Sequence, residues 1–419
     1  MRALVLLRLS ARGVGRNARR SFLTAAAMVI GLALLIFSRA LAEGGHEQWI
    51  ESGVRLGSGH IAIQAPHFLD TGKLDDRLPP AALARSVAAV ESLASDRVRA
   101  WAPRLSVDGL ASSASSALPV RIEGVDPERE GLFSDLDEKV QAGRYLRAED
   151  RLHAYVGIEL ARRLDLDVGD RFVLTAQSTT GDVEGQLVRV AGIFRSAITE
   201  MDVGLIHVPI ETVRSWLQAP QAATTLAVLL ESARATEPTV QALDAALGRE
   251  PGVRILGWRE AAPDLDSAIR IDDYGSYLFL GILLAIVALA ILNAVLISVL
   301  GRRREFGILQ AMGLTGLETG LVVFGEGLLL TAASGVTGMI LGYVFTWGFF
   351  RDGLDFSGMM EGEMTFSGSV VDPVIFPVFH HADVLLSVYT ILLIGTLASI
   401  YPALRASRLD PAEAMKFDR

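Results

Sequence analysis

Four long stretches of this chain carry no charge, and the region between the first two alternates on much shorter periods. The uncharged stretches are Ser21–Ser38, which ends near Ala42, then Tyr274–Gly301, Gly327–Phe350 with Glu326 at its mouth, and Val384–Leu404. A helix rises about 1.5 Å per residue, so roughly 20 apolar residues cross the ~30 Å hydrocarbon layer of a bilayer. All four stretches are of that order, and four transmembrane helices are predicted.

Between the first and second spans the pattern changes. Glu47–Val54 can continue the first helix as a stalk, Gly57-Ser58-Gly59 breaks it, and His60–Gln64 alternates as a strand does. Pro79–Ala94 predicts an amphipathic helix, with Leu83, Val87, Val90 and Leu93 on one face. Strands are predicted at Val98–Trp101, Val120–Ile122, Tyr155–Gly157, Phe172–Thr175, Leu187–Ile193, Leu205–Val208, Thr225–Leu230 and Val253–Leu256, with a helix at Thr239–Leu247. Ala111–Ala117 reads as a mobile loop or hairpin tip. The expected architecture is a four-helix membrane protein with an α+β extracytoplasmic domain inserted between helices 1 and 2. Residues 1–45 would hold the basic N-terminus and the first span, residues 46–273 the inserted domain, and residues 274–419 the other three spans, with a short helix at 302–313 and an external loop at 351–383.

Charge gives this layout a direction. Arg2, Arg8, Arg12, Arg16, Arg19 and Arg20 precede the first span. Arg302, Arg303 and Arg304 come after the second, and Arg405, Arg408, Lys416 and Arg419 after the fourth. With four spans these three segments share one side, and by the positive-inside rule that side is the cytoplasm. The inserted domain and the 351–383 loop are acidic and belong outside. Arg19-Arg20-Ser21-Phe22-Leu23 also has the look of a twin-arginine leader, with Ala40-Leu41-Ala42 as a cleavage site; cleavage there would leave three spans in the same orientation.

Composition narrows the function. The 419-residue chain is 51 % hydrophobic, and its net charge of −9 excludes the basic face of a nucleic-acid binder. It has no cysteine, so disulfide and thiolate chemistry are absent. Its three lysines, Lys73, Lys139 and Lys416, are not followed by Ser or Thr, so no Walker A loop exists and any ATP must be bound by another chain. His380, His381 and Asp383 form the most metal-like group, but adjacent histidines point in different directions and a solvated rim is the simpler reading. Glu326 lies among Gly320, Gly325 and Gly327, where a carboxylate can pair with an arginine. Gly338 and Gly342 allow two helix backbones to approach closely. After the arginines, Phe306, Leu309 and Met312 recur at spacing three on a short helix broken by Gly313, an apolar stripe offered to a partner.

The run Arg303-Arg304-Glu305-Phe306-Gly307-Ile308-Leu309-Gln310-Ala311-Met312-Gly313 resembles the cytoplasmic signature of FtsX-like ABC permeases, the superfamily of the MacB exporters and the lipoprotein-releasing LolC and LolE proteins. The order of one span, a large domain, then three spans is similar too. So are Tyr155–Asp170 with Val190–Phe194, which look like a MacB-like periplasmic core domain, and the ending Tyr401–Met415, where Asp410 would cap a helix starting at Pro411. Gly59–Gln64 and Gly353–Ser357 lean toward the LolC/LolE branch. The resemblance implies an inner-membrane permease without enzymatic activity of its own, working with two copies of an ABC ATPase that binds ATP and magnesium. It also implies a second permease subunit, identical or a paralogue, and a periplasmic lipoprotein carrier. Arg303, Arg304, Glu305, Phe306, Gly307, Leu309, Met312 and Gly313 would couple to the ATPase. Glu326, Gly338 and Gly342 would pack helices, and Leu280, Leu284 and Val287 would wall a lipid-facing substrate cavity. Lipoprotein extraction is the implied activity. MacB-like efflux of peptides or small molecules and FtsX-like signalling to a cell-wall hydrolase are the alternatives.

Overall fold

The computed structural model describes residues 8–13, 18–93, 97–196, 198–248, 252–357, 365–366, 369–370 and 374–409. The predicted cap at Asp410 and helix start at Pro411 lie outside them, as do Arg2, Arg16, Lys416 and Arg419. The chain divides into two compact units, one containing Glu47–Arg270 and the other containing residues 8–46, 271–356 and 374–409.

Among the described residues, four helices are long and apolar enough to cross a membrane: Ala18–Leu56, Pro263–Gly301, Gly316–Phe350 and His381–Ser407. The first two have 39 residues each, about 58 Å at 1.5 Å per residue and so nearly twice the hydrocarbon thickness. Their extra length is polar and lies in Glu47–Leu56 and Pro263–Asp273. Within the helical unit, small residues set the helix spacing. A side chain at Gly338 would meet Leu32 at 3.1 Å, and one at Gly342 would meet the Ala33 backbone at 3.0 Å, so this pair seats the third helix on the first. Gly316, Gly320 and Gly327 lie against Ser407, Ala403 and Ser399 of the fourth helix, and Gly31 lies against Val287 of the second. Met28, Leu32, Val287, Ile291, Phe306, Val323 and Ile391 form the centre of that packing.

The other unit is α+β. Among the described residues its main sheet has ten strands, β1 (Ile61–Gln64), β2 (Val98–Ser112), β3 (Ala117–Val125), β4 (Val140–Gly143), β5 (His153–Gly157), β6 (Arg171–Gln177), β7 (Val183–Phe194), β8 (Leu205–Pro209), β9 (Thr225–Leu230) and β10 (Arg254–Gly257). Pairing runs β2-β3-β8-β5-β7-β6 and returns to β2, so six strands close into a ring. The first half of β2 carries β9, β1 and β10 as a side sheet. Of the stretch Ala111–Ala117, only residues 113–116 form the tip of the β2–β3 hairpin, and Ala111, Ser112 and Ala117 are paired in the strands. The ring is filled by Leu105, Ile122, Val156, Phe172, Leu174 and Ile206. The helices Pro80–Leu93 and Thr236–Leu247 cover one face of the side sheet through Val90 and Leu243. Ile50, Val54, Leu265 and Ile269, from the polar extensions of the two long helices, pack with Trp258 and Leu229.

One ion pair is sealed inside this unit. Arg104 on β2 holds Glu130 through two hydrogen bonds, Nε to Oε2 at 3.1 Å and Nη2 to Oε1 at 2.6 Å, with both side chains at most 5 % exposed. A third guanidinium nitrogen donates to the Gly57 carbonyl, and the plane lies 4.7 Å from the Phe133 ring. Burial alone would raise the Glu130 carboxyl, but the Arg104 guanidinium overcomes it and holds the carboxyl below its usual range. His60, just after the Gly57–Gly59 break, is fully buried. Its Nδ1 accepts from the Leu230 amide at 3.2 Å, and burial pushes its pKa down to about 4.

Candidate functional site

The second helix ends at Gly301, and the arginine run behind it turns the chain at once into a short helix, Arg303–Ala311. Arg302 sits at the junction with a non-helical backbone, and its guanidinium fixes the start of that short helix in place. Nη1 reaches both oxygens of Glu326 at 2.7 Å, Nε reaches Glu305 at 2.9 Å, and the group lies 5.0 Å from the centre of the Phe306 ring. The Arg302 and Glu326 side chains are each 11 % exposed. The arginine partner expected for Glu326 is therefore present, and it ties the short helix to the third apolar helix.

A segment near the N-terminus joins the same cluster. Residues 8–13 are helical, and Ser10 donates to the Val322 carbonyl at 2.9 Å. A side chain at Gly13 would collide with the Glu326 carboxylate, and one at Gly325 would come within 2.6 Å of Ser10 Oγ. Beyond the short helix, Gly313 takes a positive φ of 105°, and Thr315 opens the third helix with a reciprocal capping box to Glu318.

The outward stripe predicted at Phe306, Leu309 and Met312 needs correction. Phe306 is 1 % exposed and Leu309 packs against the helical core, while Met312 is 70 % and Ile308 45 % exposed. Helix geometry gives the reason. At 100° per residue, six residues place Phe306 and Met312 about 240° apart, whereas Ile308 and Met312 are four apart and share a face. Arg304 and Ala311 are exposed on that face as well. Gly307 is buried beside Phe306, while Arg303 and Glu305 are half-buried. Among the functional residues not singled out from sequence, Ile308 was legible in that i, i+4 spacing, and Thr315 in the Thr-x-x-Glu pattern. Nothing local pointed to Ser10 or Gly13.

The wall expected at Leu280, Leu284 and Val287 is corrected too. Val287 is 6 % exposed against Gly31, and Leu280 and Leu284 pack into the same helical core. The exposed face of that helix is instead Leu278, Ile282, Ile286 and Leu289. His380 lies 3.3 Å from Glu43 and Asp383 lies 3.5 Å from Arg39, so these two are drawn to different partners.

Comparison with known proteins gives a consistent result. Residues 277–411 match the FtsX-like permease C-terminal family, and residues 21–246 match the MacB-like periplasmic core domain. The chain is 22 % identical to the lipoprotein-releasing system transmembrane protein LolC of Xylella fastidiosa (strain 9a5c), covering 97 % of both chains. It is 22 % identical to the uncharacterized ABC transporter permease YknZ of Bacillus subtilis (strain 168), covering 100 % of both. To the macrolide export ATP-binding/permease protein MacB of Shewanella oneidensis it is 23 % identical, over 98 % of this chain and 60 % of that protein.

Proposed function

This chain belongs to the FtsX-like ABC transporter permeases with a MacB-like periplasmic core domain, and on that premise we propose that it is the force-transmitting subunit of a lipoprotein-releasing complex in the bacterial inner membrane. Its termini and the Arg303–Ala311 helix lie in the cytoplasm, and the α+β unit, inserted between the first two spans, lies in the periplasm. A separate ABC ATPase, two copies per complex, binds ATP and magnesium and docks on the face carrying Arg304, Ile308 and Met312. A second permease, identical or a paralogue, completes the membrane part.

The observation that best supports this reading is the anchoring of the short helix. An apolar face on a mobile loop would transmit little force. Here the helix is fixed to the third span through Arg302–Glu326 and to the core through Phe306. It also comes directly after a helix that runs without a break from Pro263 to Gly301. A push on Ile308 and Met312 therefore reaches the second span as a rigid displacement. The resemblance of Gly59–Gln64 to the LolC/LolE branch and the LolC similarity support lipoproteins as cargo, handed on to a periplasmic carrier. The MacB-like core domain supports a second reading, efflux of peptides or small molecules from the periplasm.

Purification from the native membrane under mild conditions tests the proposal. An ABC ATPase together with acylated proteins is the expected company. An ATPase without lipoproteins moves the cargo to the efflux reading, and recovery with no ATPase contradicts the assignment.

A further inference from the structure

One side of the second helix is packed by its own chain and the other is not. Val287, Ile291, Val295 and Val299 are buried in the helical core. Opposite them Ile282, Ile286, Leu289, Ile297 and Leu300 are exposed, and so is Asn293. At 100° per residue these five apolar side chains fall within about 40° of Asn293 on either side, so the amide stands at the centre of the exposed stripe. It is the single carboxamide in the four uncharged stretches of the sequence. It also lies nine residues before Arg302, about 13 Å along the helix and close to the middle of a ~30 Å hydrocarbon layer.

That position is costly unless something polar covers it. A carboxamide carries two N–H donors and a carbonyl acceptor, and lipid tails supply a partner to neither. Hydroxyl groups in the other spans solve the same problem locally. Thr337 and Thr390 donate back to the Ala333 and Leu386 carbonyls of the preceding turn, at 2.9 and 2.8 Å. Asn293 makes no such bond, nor any other side-chain hydrogen bond among the described residues. A lipid chain or an apolar helix laid on this face would leave the amide unsatisfied. A second copy of the same helix would not. Two copies inserted in one membrane point the same way, so a two-fold axis along the membrane normal sets Asn293 opposite Asn293, and each amide can donate to the other's carbonyl.

We propose that a second copy of this chain docks on this face, second helix against second helix, with the two Asn293 side chains hydrogen-bonded to each other inside the membrane. Ile286 and Leu289 pack on one side of that pair, and Ile297 and Leu300 on the other. The proposal rests on the reading that a second permease completes the membrane part, and it is independent of the ATPase and of the cargo. The Arg303–Ala311 helix comes directly after this helix, so the pairing ties together the two helices that receive the push.

Cross-linking of the full chain in native membranes tests it, since the chain has no cysteine of its own. Ile286→Cys and Ile297→Cys, each facing its own copy, are expected to give a disulfide-linked dimer on oxidation with copper-phenanthroline. Val336→Cys and Leu386→Cys, exposed on the third and fourth helices, should stay monomeric. In liposomes, energy transfer between donor- and acceptor-labelled chains at increasing lipid dilution reads the association itself. Asn293→Leu should weaken it about tenfold, the scale of one hydrogen bond between membrane helices, and Asn293→Gln should restore most of it. The proposal is overturned if the third- or fourth-helix cysteines cross-link as well as those of the second, or if Asn293→Leu associates as the parent does. It is also overturned if two differently tagged copies never co-purify while the ATPase does, which leaves the transmission reading standing with a paralogue as partner. Cross-links at 286 and 297 with no ATPase in the complex support the interface and count against the transmission reading alone.

Discussion

Replacing Glu326 by Gln keeps the shape of the side chain and removes the charge facing Arg302. The guanidinium would remain 11 % exposed between Phe306 and the third helix, retaining Glu305 as its remaining close carboxylate. Breaking one side of a buried pair costs 3–5 kcal/mol or roughly so. Both groups keep about a tenth of their surface, which argues for the lower end, about 3 kcal/mol. That cost falls on the contact fixing Arg303–Ala311 to the third helix, so it should appear as local opening and not as global unfolding. At 1.4 kcal/mol per tenfold, the amides of the short helix should exchange with deuterium about a hundredfold faster, as read by mass spectrometry of the full chain in nanodiscs. Exchange in the ring strands should not change. The double reversal, Arg302→Glu with Glu326→Arg, should recover most of the protection. If Glu326→Gln exchanges like the parent, or the double reversal is no better than Arg302→Glu alone, the pair does not hold the helix.

The same packing sets three further outcomes. Gly338→Leu must displace Leu32 or the backbone at Val29, an overpacking cost of about 1–3 kcal/mol; cysteine pairs introduced between the first and third helices, into a chain that has none, should then cross-link poorly, whereas Gly348→Leu, with nothing near it, should have no effect. Glu130→Ala leaves Arg104 charged and buried and should cost about 3–5 kcal/mol in pulse proteolysis of the α+β unit, while the pair Arg104→Met, Glu130→Leu should cost far less than either single change. Acid should weaken the unit in two steps. His60 has a folded pKa of about 4, below the ordinary ~6.5, so its contribution, up to about 3 kcal/mol, is present above pH 6.5 and is lost as pH falls toward 4; burial also depresses His207, which adds to the same step, and Glu130, also depressed, loses its contribution at lower pH, so His60→Leu should shrink the first step and leave the second unchanged.

The four membrane helices were legible because an uncharged run of that length has few other uses in a folded chain. Their ends were harder. The first continues to Leu56 because the stalk Glu47–Val54 turns Ile50 and Val54 inward against Trp258 while its polar residues stay half-buried. The second begins eleven residues before the uncharged run, at Pro263, with Asp264 and Asp266 in its first turn; proline and acids there are a helix-start signal that the apolar count ignores. Strands could be placed by alternation, yet closure of the ring could not. β2 pairs with β9 along its first half and with β6 along its second, and alternation says which face is buried without naming the neighbour. The Glu326 region was readable as a place for an arginine because an intramembrane acid needs a partner. That the partner is Arg302, 24 residues earlier, depends on how two helices cross. Phe306 was misplaced by a spacing of three extended over two turns, where the drift of the helix carries the side chain inward.

The central claim is that an ATPase drives this chain through the exposed face of the Arg303–Ala311 helix. Its most direct test is the ATPase rate of the co-purified complex reconstituted in nanodiscs, with Ile308→Glu and Met312→Glu together against Glu318→Gln as a surface control outside that face. The account predicts that the double variant folds, keeps the Arg302–Glu326 contact, and loses most of both ATPase binding and permease-dependent hydrolysis, while the control behaves as the parent. Full binding and hydrolysis with both charges in place would contradict it.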